Sequence, residues 1–274
     1  MRDQSFPEKA DVVVVGGGII GASTLYHLAK AGVENPVLVE RKKIGSGTTW
    51  HAAGIVGQLR GSKVETDLAI YTTNLFKSLQ EETGQGTGYK QNGSINVVLD
   101  PVTLEIHQRR VSHAKRMGVE AHMLSPEELS EHWPLINLDG IIAASYVPSN
   151  GQVSALDTTQ ALIKGAKQRG ASAYEETAVT QVLVKNGRVI GVETDRGVIA
   201  TENVVLACGM WTHKLAKEHG VAVPLHAAEH FYIVTDRIPD LSSETPILAI
   251  SAERSYWKEE TGKLLIGGFE ADRK

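Results

Sequence analysis

Short apolar runs separated by a glycine-rich turn and a helical pattern dominate the first forty residues. Residues 11–15 form a continuous, mostly β-branched run that is typical of a buried strand. Glycines follow at once, and then a predicted helix over residues 19–31 that Gly32 closes. Residues 36–40 predict a second buried strand. A strand, a glycine-rich turn, a helix and a strand in this order indicate the first unit of a parallel sheet.

The next hundred residues mix helices and strands instead of repeating this unit. Residues 41–61 are rich in Gly, Ser and Thr and predict a loop in which a short helix could form. Leu68, Tyr71, Leu75 and Leu79 share one face of the helix that follows. Further along, Ser125 starts a capping box with Glu128. The predicted elements are helices over 64–82, over 101–117 and from 126 to Trp133, and strands over 93–99 and 141–147.

The parallel-sheet pattern then returns. Asp157 is expected to be the N-cap of a helix that ends at Arg169. Asn186–Gly187 lies between two alternating apolar runs and predicts a hairpin. The run at residues 204–207 predicts another buried strand, which meets Gly209. From Val221 onwards the pattern is mostly that of strands.

This order of elements predicts an α/β protein of two interleaved domains. A Rossmann-type dinucleotide-binding domain would be interrupted by an α+β domain built on a mixed or antiparallel sheet. The expected bounds are 1–60 and 145–222 for the first domain, and 61–144 and 223–274 for the second.

Composition narrows the class of protein. The 274 residues are 42% hydrophobic and 22% charged, as in an ordinary globular chain. A net charge of -4 without a block of like charge, and 5% aromatic residues, argue against a nucleic-acid partner. Cys208 is alone, so an internal disulfide and a cysteine-based zinc site are excluded. We find no targeting peptide and no apolar stretch of membrane-spanning length, and we expect a cytoplasmic protein, or a mitochondrial-matrix one if eukaryotic.

Residues 16–21 match the pattern G-x-G-x-x-G of dinucleotide-binding loops. Gly16 would allow the tight turn after the strand. Gly18 would let a pyrophosphate approach the backbone, and Gly21 would let the helix pack closely on the sheet. A surface turn that is merely rich in glycine is the alternative interpretation. The strand before the motif and the helix after it favour dinucleotide binding.

The contacts expected for the dinucleotide extend beyond the glycines. The N–H groups of Ile19 and Ile20 would face the phosphates at the helix N-terminus. Glu40 ends the second strand, where it would accept hydrogen bonds from a ribose hydroxyl and disfavour a 2′-phosphate, and therefore NADP. The motif leaves FAD and NAD open. Further contacts are predicted in the next loop from Arg41, Ser46, Thr48 and Thr49.

Four stretches resemble one family. The chain is similar, over essentially its whole length, to the flavoprotein domain of dimethylglycine and sarcosine dehydrogenases, within the D-amino-acid-oxidase-like superfamily. The motif Trp-His-Ala-Ala-Gly and the motif Ala-Ala-Glu-His are the most specific of the matches. The matching stretches are 46–54, 151–153 with Asp157, 208–211 and 224–232.

The resemblance implies FAD as the cofactor. It also implies a covalent bond from His51 to the 8α-methyl carbon of the flavin, whereas a lone histidine elsewhere is usually a hydrogen-bonded helix-start residue. Val179, Cys208 and Gly209 join the predicted cofactor contacts. For Cys208, the residues themselves indicate a small buried side chain and not a nucleophile.

The same resemblance implies oxidation of a small N-methyl amine such as dimethylglycine or sarcosine, by hydride transfer to flavin N5. His230 and Tyr256 are the candidate catalytic residues, although both could be ordinary strand positions. Electrons would pass to an electron-transfer flavoprotein or to oxygen. The family's flavin domain is longer, so we expect a C-terminally truncated chain without a folate site. The alternatives are another FAD-dependent amine oxidase, a nicotinamide-dependent dehydrogenase and a non-catalytic dinucleotide-binding fragment.

Overall fold

The computed structural model describes residues 6–270, which form two compact units. Both units are discontinuous in sequence, so each is assembled from separate segments. The first unit contains the chain up to Ala52, Ser78–Thr87 and Ser154–Ala227. The second unit contains Ala53–Lys77, Gly88–Val153 and the chain from Ala228.

Sixteen strands and six α-helices are defined within the described residues. The strands are β1 Val12–Val15, β2 Pro36–Val39, β3 Ile55–Val56, β4 Ser94–Val98, β5 His122–Leu124, β6 Ala143–Val147, β7 Gly151–Gln152, β8 Ser172–Tyr174, β9 Val179–Lys185, β10 Arg188–Thr194, β11 Gly197–Ala200, β12 Val204–Leu206, β13 Tyr232–Val234, β14 Ile247–Ile250, β15 Ser255–Glu260 and β16 Lys263–Gly268. The helices are α1 Ile19–Lys30, α2 Lys63–Thr83, α3 Pro101–Met117, α4 Pro126–His132, α5 Ala155–Gln168 and α6 Thr212–Lys217.

The first unit is built around a four-stranded parallel sheet in the order β12-β1-β2-β8. Because side chains alternate along a strand, the two faces of this sheet carry different residues. Val13 and Val37 face a core that they share with Val182 and Val192 of the antiparallel sheet β11-β10-β9. Val14 and Leu38 point to the other face, where α1 contacts β1 and β2. All four of the parallel sheet's side chains named here are fully buried.

The order of these strands places a topological switch at β1. The chain leaves β1 through α1 to β2 on one side, while β12 pairs with β1 on the other side. In open parallel sheets, ligands bind outside the carboxyl ends of the strands at such a point. A ligand is therefore expected at the carboxyl ends of β1, β2 and β12.

The second unit contains a seven-stranded mixed sheet in the order β13-β16-β15-β14-β4-β6-β5. Its neighbours pair antiparallel except for β14 and β4, which are parallel. Ile95, Val97, Leu129 and Leu248 are buried in its core. The short strands β3 and β7 form a separate antiparallel pair in the same unit.

The predicted α/β class with a mixed sheet is confirmed. The capping box at Ser125 is present, but the N-cap of α5 is Ser154, because its side chain, and not that of Asp157, accepts the N–H of the first turn. The predicted apolar face of α2 is buried only at Leu75 and Leu79, whereas Leu68 is 62% exposed. Within residues 6–270 no helix is long and apolar enough to cross a membrane.

Candidate functional site

The turn from β1 into α1 depends on two glycines. Gly16 has a φ of +109°, and a Cβ there would lie 2.5 Å from the carbonyl oxygen of Ala207 on the neighbouring chain segment. A Cβ on Gly21 would overlap the carbonyl oxygen of Gly16. Both positions therefore require glycine: the first for the turn and the second for the close approach of helix and strand.

The start of α1 has room for a ligand. Gly18 is the N-cap of this helix and provides no capping side chain. The N–H of Ile19 donates to Thr49 Oγ1 at 3.0 Å, and Ile20 is 67% exposed. A Cβ on Gly18 would come within 3.1 Å of the same Thr49 oxygen, so the absence of a side chain keeps this cradle open. An open helix N-terminus of this kind fits a phosphate group.

Glu40 lies at the carboxyl end of β2 and is held by backbone groups. The N–H of Gly17 donates to its Oε2 at 2.6 Å, and the N–H of Lys42 donates to its Oε1 at 2.9 Å. A carboxylate oxygen has a further lone pair after accepting one hydrogen bond. The two bonds therefore fix the orientation of the carboxylate and leave it able to accept from a ribose hydroxyl.

The loop after β2 is tied back to the glycine turn. The N–H of Gly45 donates to the carbonyl oxygen of Gly17 at 2.9 Å, and the N–H of Ile44 donates to Glu175 Oε1 at 2.8 Å. The loop ends in a 3₁₀ turn, Thr48–His51. Since Thr49 accepts from the first helical N–H, the structure brings this turn to the start of α1.

His51 is the last residue of that 3₁₀ turn. Its imidazole is exposed, and its ring centroid lies 3.8 Å from that of Trp50. Ser46 and Thr48 are also exposed, and Ser46 donates its backbone N–H to the carbonyl oxygen of Lys43. The hydroxyl and imidazole groups predicted to contact the cofactor are therefore accessible on the loop.

The start of α1, the loop after β2 and the carboxyl end of β12 enclose a crevice. The carboxyl end of β12 forms the side of this crevice next to β1. Cys208 donates its S–H to the carbonyl oxygen of Val15 at 3.2 Å, and burial raises the pKa of this thiol to about 11. A thiol that stays protonated is a poor nucleophile, in agreement with the interpretation that Cys208 is not a nucleophile, although its side chain is only half-buried. Gly209 follows with a φ of +55°. Val179, at the start of β9, packs against the buried core of this unit.

In the second unit the structure brings together the two predicted catalytic residues. Tyr256 Oη and His230 Nε2 are 3.5 Å apart. Phe269 stacks on the His230 ring, with centroids 4.8 Å apart, and Glu270 Oε2 lies 3.6 Å from His230 Nδ1. A Cβ on Gly267 would overlap the Tyr256 ring. The ring can therefore occupy this position only because residue 267 of β16 has no side chain. Together these groups form a small aromatic cluster with one imidazole and one carboxylate.

Burial and hydrogen bonding set the protonation of this cluster. Burial raises the pKa of Tyr256, and the charge of Glu270 adds to the effect. A backbone hydrogen bond, followed by its interaction with His230, lowers the pKa of Glu270. At neutral pH the cluster therefore presents a neutral phenol, which can donate a hydrogen bond, beside an ionised carboxylate.

Several contacts of the two sites were not predicted from the sequence. Gly17 anchors both Glu40 and the loop, Glu175 anchors Ile44, and Phe269 stacks on His230. The second glycine in the run after β1, Gly17, was an available signal. Nothing in the sequence around Glu175 indicated its role. Within residues 6–270 no group of three or more His, Cys, Asp or Glu side chains could hold a metal ion.

Comparisons with known proteins identify relatives of this chain. Mouse sarcosine dehydrogenase is 40% identical over 275 residues, covering 98% of this chain and 30% of that protein. The mouse pyruvate dehydrogenase phosphatase regulatory subunit is 38% identical, with 98% and 31% covered. The crystal structure of L-proline dehydrogenase from P. horikoshii superposes with a TM-score of 0.89 at 28% identity, with 98% and 71% covered. The chain thus spans less than a third of the length of these curated relatives.

A family model described as FAD dependent oxidoreductase matches residues 11–274. The match confirms the family resemblance predicted from the motifs, and FAD is the cofactor that the family implies. The glycine turn, the open helix start and the ordered carboxylate of Glu40 are features that an FAD-binding crevice needs. The chain therefore belongs to the family of FAD-dependent oxidoreductases.

Proposed function

We propose that this protein oxidises a small N-methyl amine, such as sarcosine or dimethylglycine, with FAD bound in its first unit. The observation that carries the proposal is the crevice at the carboxyl ends of β1, β2 and β12, whose loop bears His51 next to the open start of α1. Sarcosine dehydrogenase is among the relatives, which supports this substrate class. A bound FAD supplies an acceptor for the hydride that leaves the N-methyl carbon.

Three groups of residues would hold the adenine dinucleotide part. The backbone of Gly16, Gly18 and Gly21 leaves space for the pyrophosphate beside the N–H groups of Ile19 and Ile20. Glu40 accepts from a ribose hydroxyl with a carboxylate that backbone N–H groups already orient. Further contacts come from Arg41, Ser46, Thr48, Thr49, Val179, Cys208 and Gly209.

His51 is the proposed point of covalent attachment to the 8α carbon of the flavin. An accessible imidazole that is not protonated is a good nucleophile near neutral pH, and His51 is exposed at the end of its turn. Thr49, two residues earlier, binds the first N–H of α1 and thereby fixes the turn relative to the phosphate cradle.

His230 and Tyr256 are proposed to receive the amine. The substrate nitrogen must be unprotonated, because its lone pair drives the loss of hydride. The His230 imidazole would accept the ammonium proton at Nε2, and the Tyr256 oxygen near that atom and the ionised Glu270 carboxylate near Nδ1 would then stabilise the charged ring. Phe269 stacks on the His230 ring, which is itself exposed to solvent. The iminium product is released to water and hydrolysed.

The absorbance of the purified protein tests the cofactor part of the proposal. Flavin absorbance should be present, and it should stay with the protein pellet after acid precipitation. In His51→Ala the flavin should still bind but should move to the supernatant. A colourless protein with no bound adenine would refute FAD binding, and flavin released from the wild-type protein would refute attachment through His51.

Turnover with sarcosine, dimethylglycine and other secondary amines, with an artificial electron acceptor, tests the reaction. We expect one of the N-methyl amines to be oxidised with release of formaldehyde. In Tyr256→Phe and His230→Gln the activity should fall, while flavin content stays unchanged. Dependence of the rate on an electron-transfer flavoprotein or on oxygen would identify the acceptor.

A regulatory role is the second candidate. The relative at 38% identity is named a regulatory subunit of pyruvate dehydrogenase phosphatase. Relatives of this chain therefore include a protein that is named for regulation and not for catalysis. A regulatory protein of this family would bind the dinucleotide without oxidising any amine. Flavin binding with no reduction by the full panel of amines under anaerobic conditions would favour this role over catalysis.

A further inference from the structure

The loop that carries His51 contacts Trp211, a residue that the FAD-binding motifs do not explain. Trp211 lies in the short 3₁₀ helix Gly209–Trp211 after β12. The guanidinium carbon of Arg41, the first residue of the loop, lies 4.3 Å from the centroid of the Trp211 ring. The other end of the loop is also close, because a Cβ on Gly47 would lie 3.7 Å from Trp211 Cζ3.

We propose that Trp211 is a positioning residue for His51: its indole spans the loop from Arg41 to Gly47 and thereby holds the His51 turn in place for attachment of the flavin. This inference rests on the proposed covalent attachment at His51. It assigns to Trp211, and to its cation–π contact with Arg41, a role in forming that bond and not in binding the nucleotide.

The positions of the anchors support this role. The glycine turn holds the loop at Gly45, and α1 holds it at Thr49. Between these anchors the N–H of Trp50 donates to the carbonyl oxygen of Gly45 at 3.2 Å and closes the segment around residue 47, which directly precedes the His51 turn. A Cβ on Gly47 would be in ordinary van der Waals contact with the indole edge, so the Trp211 ring lies beside the loop at this position. The Trp211 ring is therefore a side-chain neighbour of the start of the turn, in addition to these backbone bonds.

Exposure supports the same assignment. Trp211 is 39% exposed, and Met210 in the same 3₁₀ helix is 40% exposed. A half-exposed indole contributes less to the core of its unit than a buried one, so its removal should leave the fold intact. Met210 provides a matched control, because it lies next to Trp211 in the same 3₁₀ helix and has nearly the same exposure.

The step that Trp211 would assist can be written in full. A bond forms between a ring nitrogen of His51 and the 8α carbon of the flavin. The imidazole and the methyl group each lose one proton, and the two electrons set free reduce dioxygen, which takes up both protons and leaves as hydrogen peroxide. The step needs an in-line approach of the imidazole, and a misplacement of about 1 Å can lower such a rate about a hundredfold.

The experiment follows attachment in protein prepared without riboflavin and then mixed with FAD in air. Samples are precipitated with acid over time, and the flavin in the pellet is compared with total bound flavin. In Trp211→Leu we expect the rate of attachment to fall about tenfold or more, while FAD binding and the unfolding temperature stay near the wild-type values. Trp211→Phe, which keeps a ring for Arg41, should restore most of the rate, and Met210→Leu should match the wild type.

The outcomes separate this inference from the proposal on which it rests. If the wild-type protein binds FAD but forms no bond, the attachment at His51 is wrong. If the wild type forms the bond and Trp211→Leu forms it at the same rate, the positioning role of Trp211 is wrong. Loss of FAD binding in Trp211→Leu would also overturn the inference, because Trp211 would then contribute to the nucleotide site itself.

Discussion

Substitution of Gly21 by alanine tests the packing on which the nucleotide crevice depends. In an exposed helix, a change from glycine to alanine stabilises by about 1 kcal/mol. Here the new Cβ would lie 3.1 Å from the carbonyl carbon of Gly16 and would overlap its oxygen. Helix α1 would have to move away from β1, and inserting a methyl group into a packed backbone contact costs about 1–3 kcal/mol or more.

The unfavourable contact should outweigh the gain in helix propensity. Because a backbone carbonyl cannot move aside as a side chain can, we expect the upper part of that range and a net loss of about 2 kcal/mol. For a protein of this size the loss corresponds to a fall in the unfolding temperature of about 4–8 °C. The shifted helix start should also bind the pyrophosphate less tightly, so the purified variant should contain less flavin per protein than the wild type.

Thermal unfolding and the ratio of flavin to protein absorbance measure both effects. Thr24→Ala is the control, since Thr24 is a half-buried residue of the same helix whose hydroxyl donates to the carbonyl oxygen of Ile20. We expect this variant to keep its flavin and to unfold near the wild-type temperature. A Gly21→Ala protein with full flavin content and an unchanged unfolding temperature would refute the close contact between α1 and β1.

Three further predictions concern buried groups. Since burial raises the pKa of Cys208 to about 11, alkylation of the folded protein near pH 8 should be about a hundredfold slower than that of the unfolded chain; equal rates would contradict its burial. Burial and the nearby charge of Arg110 lower the pKa of His107, so the unfolded state binds its proton more tightly, and stability should fall as the pH drops below about 6.5. Urea unfolding at several pH values should show a weaker pH dependence in His107→Gln, and an identical dependence would exclude His107 as a cause. Gly267→Ala should displace the Tyr256 ring and raise the KM for the amine, which steady-state kinetics would detect.

Local chemistry determined much of the first unit from the sequence. The β-branched runs, the glycines at positions 16, 18 and 21, and the acidic residue at the end of the second strand predict a nucleotide-binding turn, because each requirement is satisfied by neighbours in sequence. The structure contains this turn, with Gly16 at positive φ and Gly21 against the strand. The hairpin at Asn186–Gly187 was predicted for the same reason and joins β9 and β10.

Long-range contacts could not be derived in this way. Glu175 accepts from Ile44, which is 131 residues away, and no local pattern indicates such a bond. The strands β8, β14 and β15 were not identified individually, because they are short or lack a clear alternation of apolar and polar residues. The N-cap of α5 was assigned to Asp157 instead of Ser154, since both residue types favour that position.

The sequence by itself therefore determined the class of fold, the nucleotide turn and the residues that could carry chemistry, because strand, turn and helix preferences are local and the motifs are contiguous. Only the tertiary structure decided which of those residues meet. It brought Tyr256 to His230 across 26 positions, and it packed Trp211 on the loop that begins at Arg41. Pairing of strands that are distant in sequence fixes such contacts, and the burial that stabilises this pairing is a property of the whole unit.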